Sequence, residues 1–359
     1  MKSKPKNNFD FLRMLAATLV MVSHAFQISY GEKINNISPG NEDFAEPLLW
    51  LTRGQLTIGH LSVLVFFIIS GYLITMSQER SSSSKKFLIN RALRIFPGLA
   101  VAIIFTVFIV GPFATSLSFS EYFSHMDTWK YISNATMLSA GDYLPGVFGH
   151  NPLPNVVNGS LWTLKYEFGC YLLVCGLNAF GLLKKKVVIG IFIILFAEVV
   201  YARHTGHPFL YFMLFFSMGM VLRLAGNDIL FRGDVSFALG IILILAALMG
   251  AALSFKVFVL VFSLVGGYII LYLAFAPWIN LSGFSRYGDF SYGLYIYAFP
   301  IQQMVSYYMG SNQKWFINFS ISFPLALICA FISWHWVEKR ALAMKGKSMP
   351  AVAVLDVKG

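Results

Sequence analysis

Apolar stretches of about 20 residues recur along the whole chain, and they limit its fold more than any other feature. A helix of that length crosses a hydrocarbon core about 30 Å thick. The sequence therefore predicts an all-α integral membrane protein with ten transmembrane helices. It forms one domain over 1–359, with the bundle at about 10–337 and a short tail at 338–359. The ten segments, with ends good to about 2–4 residues, are 10–30, 56–78, 95–116, 160–182, 187–203, 208–225, 235–253, 256–276, 287–309 and 315–337.

Composition supports a chain that lipid surrounds. Hydrophobic residues make up 57% and charged residues 12%, whereas a soluble domain averages about 25% charged residues. A water-facing surface for 359 residues cannot be built from so few charges. The composition thus excludes a disordered chain, a collagen and a basic soluble module that binds nucleic acid. Three cysteines inside apolar runs are too few for a disulfide framework.

The basic residues predict the orientation in the membrane. If the chain crosses ten times with its N-terminus inside, 19 of the 27 Lys and Arg residues fall on the cytoplasmic side and six on the outer side. Cytoplasmic loops are enriched in these residues, so both termini are predicted to be cytoplasmic. The opening MKSKPKNN resembles the start of a signal peptide, but Gln27, Ser29 and Tyr30 continue a helix instead of forming a cleavage site.

Arg13 and His24 are the first candidate functional residues. They are eleven positions apart on the first predicted helix, which puts them about 16 Å apart along the axis and on one face. Charges within a membrane segment usually face a cavity or a partner. The alternative is an arginine that reaches the lipid headgroups and a histidine satisfied inside the bundle. Because both lie on one stripe, we favour a channel-lining role.

Glu167 and the pair Arg91 and Arg94 are further candidates. Glu167 lies about two turns into the fourth predicted helix, where it either orients His24, binds a substrate hydroxyl or makes a structural hydrogen bond between helices. Arg91 and Arg94 are three positions apart, so their guanidinium groups project together. With Arg13 they predict a site for a polyanionic ligand at the cytoplasmic mouth. No metal-binding or phosphate-loop motif is present.

Six motifs in order resemble the acyltransferase-3 family of integral membrane acyltransferases. FDFLRMLAATLVMVSHAF is similar to its Arg-x10-His first helix, GHLSVLVFFIISGYLIT to its FFxxSGxLI helix, and FLINRALRIFPGLAV to its RxxRIxP segment. NGSLWTLKYEFGCYLL resembles the SLWxLxxE block, RYGDFSYGLYIYAFPIQ the GxxSYxxYLxHxP block, and ISWHWVEKR the terminal SxxxxE. Ala298 replaces the usual His of the fifth block, which leaves His24 as the only deep imidazole expected.

The resemblance implies transfer of an acyl group, commonly acetyl from cytoplasmic acetyl-CoA, to a hydroxyl of an extracytoplasmic glycan. The expected donor is acyl-CoA, and the expected acceptor is a glycan or lipid-linked saccharide. Membrane lipids surround the protein, nucleic acid is not a partner, and the expected location is a bacterial inner membrane. On this interpretation His24 is the general base or carries the acyl group, and Glu167 holds either the acceptor or the tautomer of His24. The residues expected to bind the donor are Arg13, Arg91, Arg94, Ser70 and Gly71. Those expected to bind the substrate are Trp162, Ser291, Tyr292 and Tyr295.

Other functions remain open at this point. A secondary transporter or glycan flippase would use Arg13, His24 and Glu167 as a polar pathway. A membrane-bound O-acyltransferase of the lipid-modifying type would need a late Asn and His, for which His335 is a poor match. A structural scaffold leaves the Arg13–His24 stripe without an explanation. Ser70 and Gly71 have a second interpretation as well, since they permit two helices to approach closely.

Overall fold

The computed structural model describes residues 7–35, 45–136, 141, 143–201, 207–226, 234–251, 254–276, 280–310 and 313–344. Within these residues the chain is helical, apart from loops and one isolated β-bridge between Thr115 and Val147. The predicted all-α class is confirmed. Most of the predicted tail, 345–359, lies outside the described residues.

The described residues contain ten helices of 16 residues or more, which we label α1 to α10 in chain order. Each overlaps one of the ten predicted segments. Their bounds are Phe9–Tyr30, Ile58–Glu79, Ser84–Phe105, Leu164–Ala179, Lys185–Tyr201, Pro208–Ala225, Asp234–Ala251, Phe255–Phe275, Ser291–Met309 and Trp315–Ser333. Further helical turns extend α3 to Ala114 and α10 to Ala343.

Six of the described helices are long and apolar enough to cross a membrane. They are Phe9–Ile34, Ile58–Glu79, Ser84–Ala114, Pro208–Ala225, Phe255–Phe275 and Trp315–Ala343. The other long helices are shorter or more polar, so the number of ten crossings and the cytoplasmic location of both termini stay predictions. By their length and composition, these six helices fit the predicted membrane protein.

Local sequence explains where α2 and α3 begin. The Thr57 hydroxyl accepts a hydrogen bond from the backbone N–H of His60 at 3.0 Å, and the Ser83 hydroxyl accepts one from Lys86 at 3.2 Å. Both are side-chain caps that satisfy an otherwise unpaired helix donor. The cap at Thr57 places His60 in the first turn of α2, a position that matters for the site below.

α1 is the central helix of the site because it packs against α2, α9 and α10. Its first turn is anchored by Asn8, whose side chain donates to the carbonyl of Leu273 at 3.0 Å and accepts from the N–H of Leu281 at 2.9 Å. Phe9 then stacks on Tyr72 of α2, with ring centroids 5.5 Å apart. These contacts fix the rotation of α1, and hence the direction in which Arg13 and His24 point.

Two glycines let α2 and α6 touch at their backbones. A Cβ on Gly71 would lie 2.0 Å from the carbonyl oxygen of Phe216, and one on Gly219 would lie 2.1 Å from that of Ile68. Small residues allow this kind of approach between helices in membranes. Of the two interpretations of Gly71, the structure supports close helix packing, and donor binding by Gly71 is not supported because it lines neither cavity described below.

We expect Gly71→Ala to destabilise the protein by about 1–3 kcal/mol, the usual cost of forcing extra atoms into a packed interior. The reason is that the new methyl group meets backbone, which cannot rotate away. The measurement is the free energy of unfolding in mixed micelles. Gly176→Ala is the matched control, because nothing lies within 4 Å of its Cβ position in α4; equal effects of the two substitutions would contradict the packing argument.

Candidate active site

Asp289, which precedes α9, holds two arginines from different helices. Its Oδ2 lies 2.8 Å from Arg13 of α1 and 2.5 Å from Arg94 of α3. Arg94 also pairs with Glu338 of the α10 extension at 3.4 Å. The Ser291 hydroxyl donates to Asp289 Oδ1 at 2.6 Å. One carboxylate thus joins the first turns of α1, the middle of α3 and the start of α9, and Arg94 links them to the α10 extension.

The site for a polyanion at three arginines stays a prediction, and the structure adds two features to it that the sequence did not show. Arg13 and Arg94 are already ion-paired. Arg91 does not line the cavity that they border; its guanidinium lies 5.8 Å from the centre of the Phe87 ring, and its Nε has no hydrogen-bond partner. The sequence showed the cations but not the carboxylates that fold against them. Two buried cations need such partners, because unpaired buried charge is costly.

Arg13 and Arg94 border a cavity that extends into the bundle from the Asp289 end. We call it the arginine cavity. Glu167 lies in its wall, where it accepts hydrogen bonds from Ser70 at 3.1 Å and from Tyr171 at 2.5 Å. The residues that line it are Arg13, Val63, Phe66, Phe67, Ser70, Arg94, Ile95, Thr163, Leu164, Glu167, Tyr171, Ser291, Tyr292 and Tyr295.

His24 lies in a second cavity, which we call the histidine cavity. The imidazole packs edge-on against Phe299, with ring centroids 4.9 Å apart. Its Nδ1 is buried without a hydrogen-bond partner, so Nε2 is the nitrogen left for a ligand. The lining residues are Val20, Ser23, His24, Gln27, Ile34, Leu49, Gly54, Gln55, Thr57, Gly59, His60, Val63, Gly159, Trp162, Thr163, Phe212 and Tyr295.

The two cavities adjoin and differ in charge. Val63, Thr163 and Tyr295 line both, and the hydroxyls of Thr163 and Tyr295 form a hydrogen bond of 2.6 Å. The arginine cavity contains both cations and a carboxylate. The histidine cavity is lined by neutral polar, aromatic and aliphatic side chains, and by no Asp, Glu, Lys or Arg among the residues described. A charged compartment therefore meets a neutral one.

The remaining predicted residues divide between the cavities. Trp162 lines the histidine cavity, whereas Ser291 and Tyr292 line the arginine cavity. The Tyr292 hydroxyl is used by the fold, since it donates to the carbonyl of Ile95 at 2.8 Å. Glu167 bonds Ser70 and Tyr171 and does not line the cavity of His24. The geometry therefore does not support the option that Glu167 holds the His24 tautomer.

A buried carboxylate holds the loop before α2 against α1, beside the histidine cavity. Glu46, in the loop before α2, accepts from the Ser23 hydroxyl of α1 at 2.5 Å and from the N–H of Ile58. Burial raises the pKa of the Glu46 carboxyl, against these two hydrogen bonds, which lower it. The contact ties the loop to the residue next to His24.

Comparison with known families decides the class of enzyme. A family model described as an acyltransferase domain matches residues 6–335, nearly the whole chain. The chain belongs to this acyltransferase family. The enzyme class predicted from the six motifs, a membrane O-acyltransferase, is confirmed, and the transporter alternative loses its basis.

Two relatives match the acyltransferase over most of its length. One, named O-acetyl transferase, from Shigella phage Sf6, is 31% identical and covers 94% of this chain and 96% of its own. The other, Nodulation protein 10 from Rhizobium leguminosarum bv. viciae, is 26% identical over 95% of this chain and 94% of its own. No solved structure matches the chain.

Sequence reasoning gave no role to four residues of the acyltransferase site: Asp289, Glu338, Tyr171 and His60. Asp289 and Glu338 had a signal, because two cations at the edge of a membrane segment call for carboxylates at the same end of the bundle. Tyr171 is four positions after Glu167 and so lies on the same helix face. His60 had no local signal. It lines the histidine cavity, so the expectation that His24 is the only deep imidazole is wrong.

Proposed function

We propose that this acyltransferase moves an acetyl group from acetyl-CoA to a hydroxyl of an extracytoplasmic saccharide, in a bacterial inner membrane. The observation that supports this most is the pair of adjoining cavities, one charged and one neutral, with Arg13 and His24 of a single helix in different cavities. An enzyme that joins a polyanionic donor to a neutral acceptor needs two such compartments in contact.

The arginine cavity suits the donor. Each guanidinium carries five N–H donors, and Asp289 and Glu338 accept only some of those of Arg13 and Arg94. The paired carboxylates hold both groups in place, and the remaining donors face phosphate oxygens of CoA. Arg91, one helical turn before Arg94 in α3 and with no hydrogen-bond partner for its Nε, adds a further positive charge outside the lining of the cavity. The acyl end of the donor then extends past Ser70 towards Val63 and Tyr295.

The histidine cavity suits the acceptor. Its amide and hydroxyl side chains offer hydrogen bonds to neutral oxygens, and Trp162 supplies an aromatic face of the kind on which a sugar ring packs. The name of the phage relative, O-acetyl transferase, agrees with an acetyl group transferred to oxygen. A saccharide hydroxyl held beside His24 completes the arrangement.

In the proposed reaction, His24 Nε2 takes the proton of the acceptor hydroxyl. The hydroxyl oxygen attacks the thioester carbonyl carbon, the new C–O ester bond forms, and the C–S bond breaks. The CoA thiolate leaves through the arginine cavity and receives the proton from the imidazolium. The imidazole of His24 therefore takes the proton in the attack step and returns it in the leaving step. The Thr163–Tyr295 contact marks the place where the acetyl group crosses between cavities.

The test uses the purified full-length protein in vesicles, with radiolabelled acetyl-CoA and surface glycan from the source cell stripped of esters by mild alkali. We expect label in the glycan and release of one CoA thiol for each acetyl group transferred. Heat-inactivated protein and reactions without glycan are the controls. Thiol release with no labelled glycan, or transfer from another acyl-CoA but not from acetyl-CoA, would overturn the assignment of acceptor or donor.

A further inference from the structure

His60 and Tyr211 form a hydrogen-bonded pair in the wall of the histidine cavity. His60 Nε2 of α2 lies 2.7 Å from the hydroxyl of Tyr211 in α6. Phe255, the first residue of α8, packs edge-on against the same imidazole, with centroids 5.7 Å apart. Thr57 caps the backbone N–H of His60. The imidazole is thus fixed by contacts from α6 and α8, and its backbone is fixed by the cap at the start of α2.

A close approach of α1 and α2 brings the two histidines to one cavity. A Cβ on Gly59 would lie 2.8 Å from both Cβ and Oγ of Ser23, so only a glycine lets these helices meet here. Ser23 precedes His24, and Gly59 precedes His60. The contact between the preceding residues therefore fixes His24 and His60 as neighbours along the cavity wall.

The Tyr211 contact assigns the protons of His60. Tyr211 is buried, where its hydroxyl needs a hydrogen-bond partner, and a phenol hydroxyl is a stronger donor than acceptor. Among the described residues, His60 Nε2 is the acceptor that the Tyr211 hydroxyl meets. The imidazole proton is then on Nδ1. Nδ1 has no hydrogen-bond partner within the described part of the chain, so it is a fixed donor available to a ligand in the cavity.

We propose that His60 binds the acceptor saccharide by donating a hydrogen bond from Nδ1 to a sugar oxygen, and that Tyr211 is the positioning residue that fixes this tautomer. The inference rests on the proposed function, because it takes the histidine cavity as the acceptor site. The uncharged imidazole of His60 suits a cavity without charged side chains, because its Nδ1–H can bind a sugar oxygen without burying a charge. In this arrangement His24 contacts the hydroxyl that receives the acetyl group, and His60 orients the sugar relative to His24.

The test replaces His60 with Asn or with Gln, whose side-chain amide nitrogens lie at different distances from the backbone. The amide nitrogen of Asn occupies the place of a histidine Nδ1, whereas that of Gln occupies the place of Nε2. His60→Asn keeps the proposed donor, and His60→Gln removes it while keeping a partner for Tyr211. The measurement is the dissociation constant of alkali-treated surface glycan, by calorimetry on the full-length protein in nanodiscs without acetyl-CoA.

We expect His60→Gln to weaken glycan binding about three- to tenfold, the range of a single hydrogen bond, and His60→Asn to stay within about twofold of the wild type. Tyr211→Phe should weaken binding too, because the tautomer is no longer fixed. Binding of CoA is the internal control in each variant, since His60 does not line the arginine cavity.

Unchanged glycan affinity in His60→Gln, or equal losses in the Gln and Asn variants, would overturn the role of His60. The same holds if the wild type does not bind the glycan. Because the binding measurement contains no acetyl-CoA, its result does not depend on catalysis. If the wild type binds glycan through His60 but transfers no acetyl group, the proposed function alone is refuted. If the wild type transfers acetyl normally and His60→Gln binds glycan as tightly as the wild type, this inference alone is refuted.

Discussion

Acetyl transfer by His24→Ala is expected to be about 10²–10⁴-fold slower than by the wild type, the usual contribution of a general base. The substitution removes the titratable nitrogen that faces the histidine cavity. His60 does not replace it, because its Nε2 is engaged by Tyr211. The measurement is the initial rate of CoA thiol release that depends on glycan, at saturating acetyl-CoA.

The expected stability of His24→Ala and a control variant separate an effect on catalysis from an effect on folding. Nδ1 of His24 is buried without a partner, and an unsatisfied buried polar atom costs about 1–3 kcal/mol. His24→Ala removes that atom, so the variant should keep its elution profile in detergent and much of its stability. His150→Ala is the matched control, since His150 is exposed and lines neither cavity. A His24→Ala enzyme within about threefold of the His150→Ala rate would exclude His24 as base or carrier.

The features that local sequence could predict are those set by a single helix. Arg13 and His24 share a stripe because the α-helix repeats at a fixed angle, and the structure places them in two cavities that adjoin. The apolar segments predicted helices because a backbone in lipid must satisfy its own hydrogen bonds. The family motifs then connected that stripe to acyl transfer, which the family match confirms.

The features that sequence could not predict depend on which helices meet. Nothing near Arg13 indicates that Asp289, 276 positions away, accepts from it. The same holds for His60 and Tyr211, 151 positions apart. Gly71 had two interpretations from sequence, a ligand contact and close helix packing, and only the position of α6 shows that its missing Cβ serves the packing. A residue's neighbours across the bundle, and not its neighbours in sequence, decided these roles.

Asp289→Ala is expected to reduce the free energy of unfolding by about 3–5 kcal/mol, the cost of removing one partner from a buried ion pair. The side chains concerned are mostly buried, with exposed fractions of 23% for Arg13, 14% for Arg94 and 16% for Asp289. Without Asp289, Arg13 loses its ion pair and Arg94 keeps only Glu338. Two neighbouring guanidinium groups then repel each other in a poorly hydrated site. Chemical denaturation in mixed micelles measures the change.

Asp127→Ala is the matched control, because Asp127 also pairs with a cation, Lys130, but at an exposed site. Exposed pairs contribute about 0–1 kcal/mol, so this variant should be nearly as stable as the wild type. A double-mutant cycle between Asp289→Ala and Arg13→Ala should show coupling, since removing both charges leaves fewer unpaired groups than removing the carboxylate alone. If Asp289→Ala were as mild as Asp127→Ala, Asp289 would not hold the arginines. The fixed guanidinium geometry proposed for the donor site would then have no support.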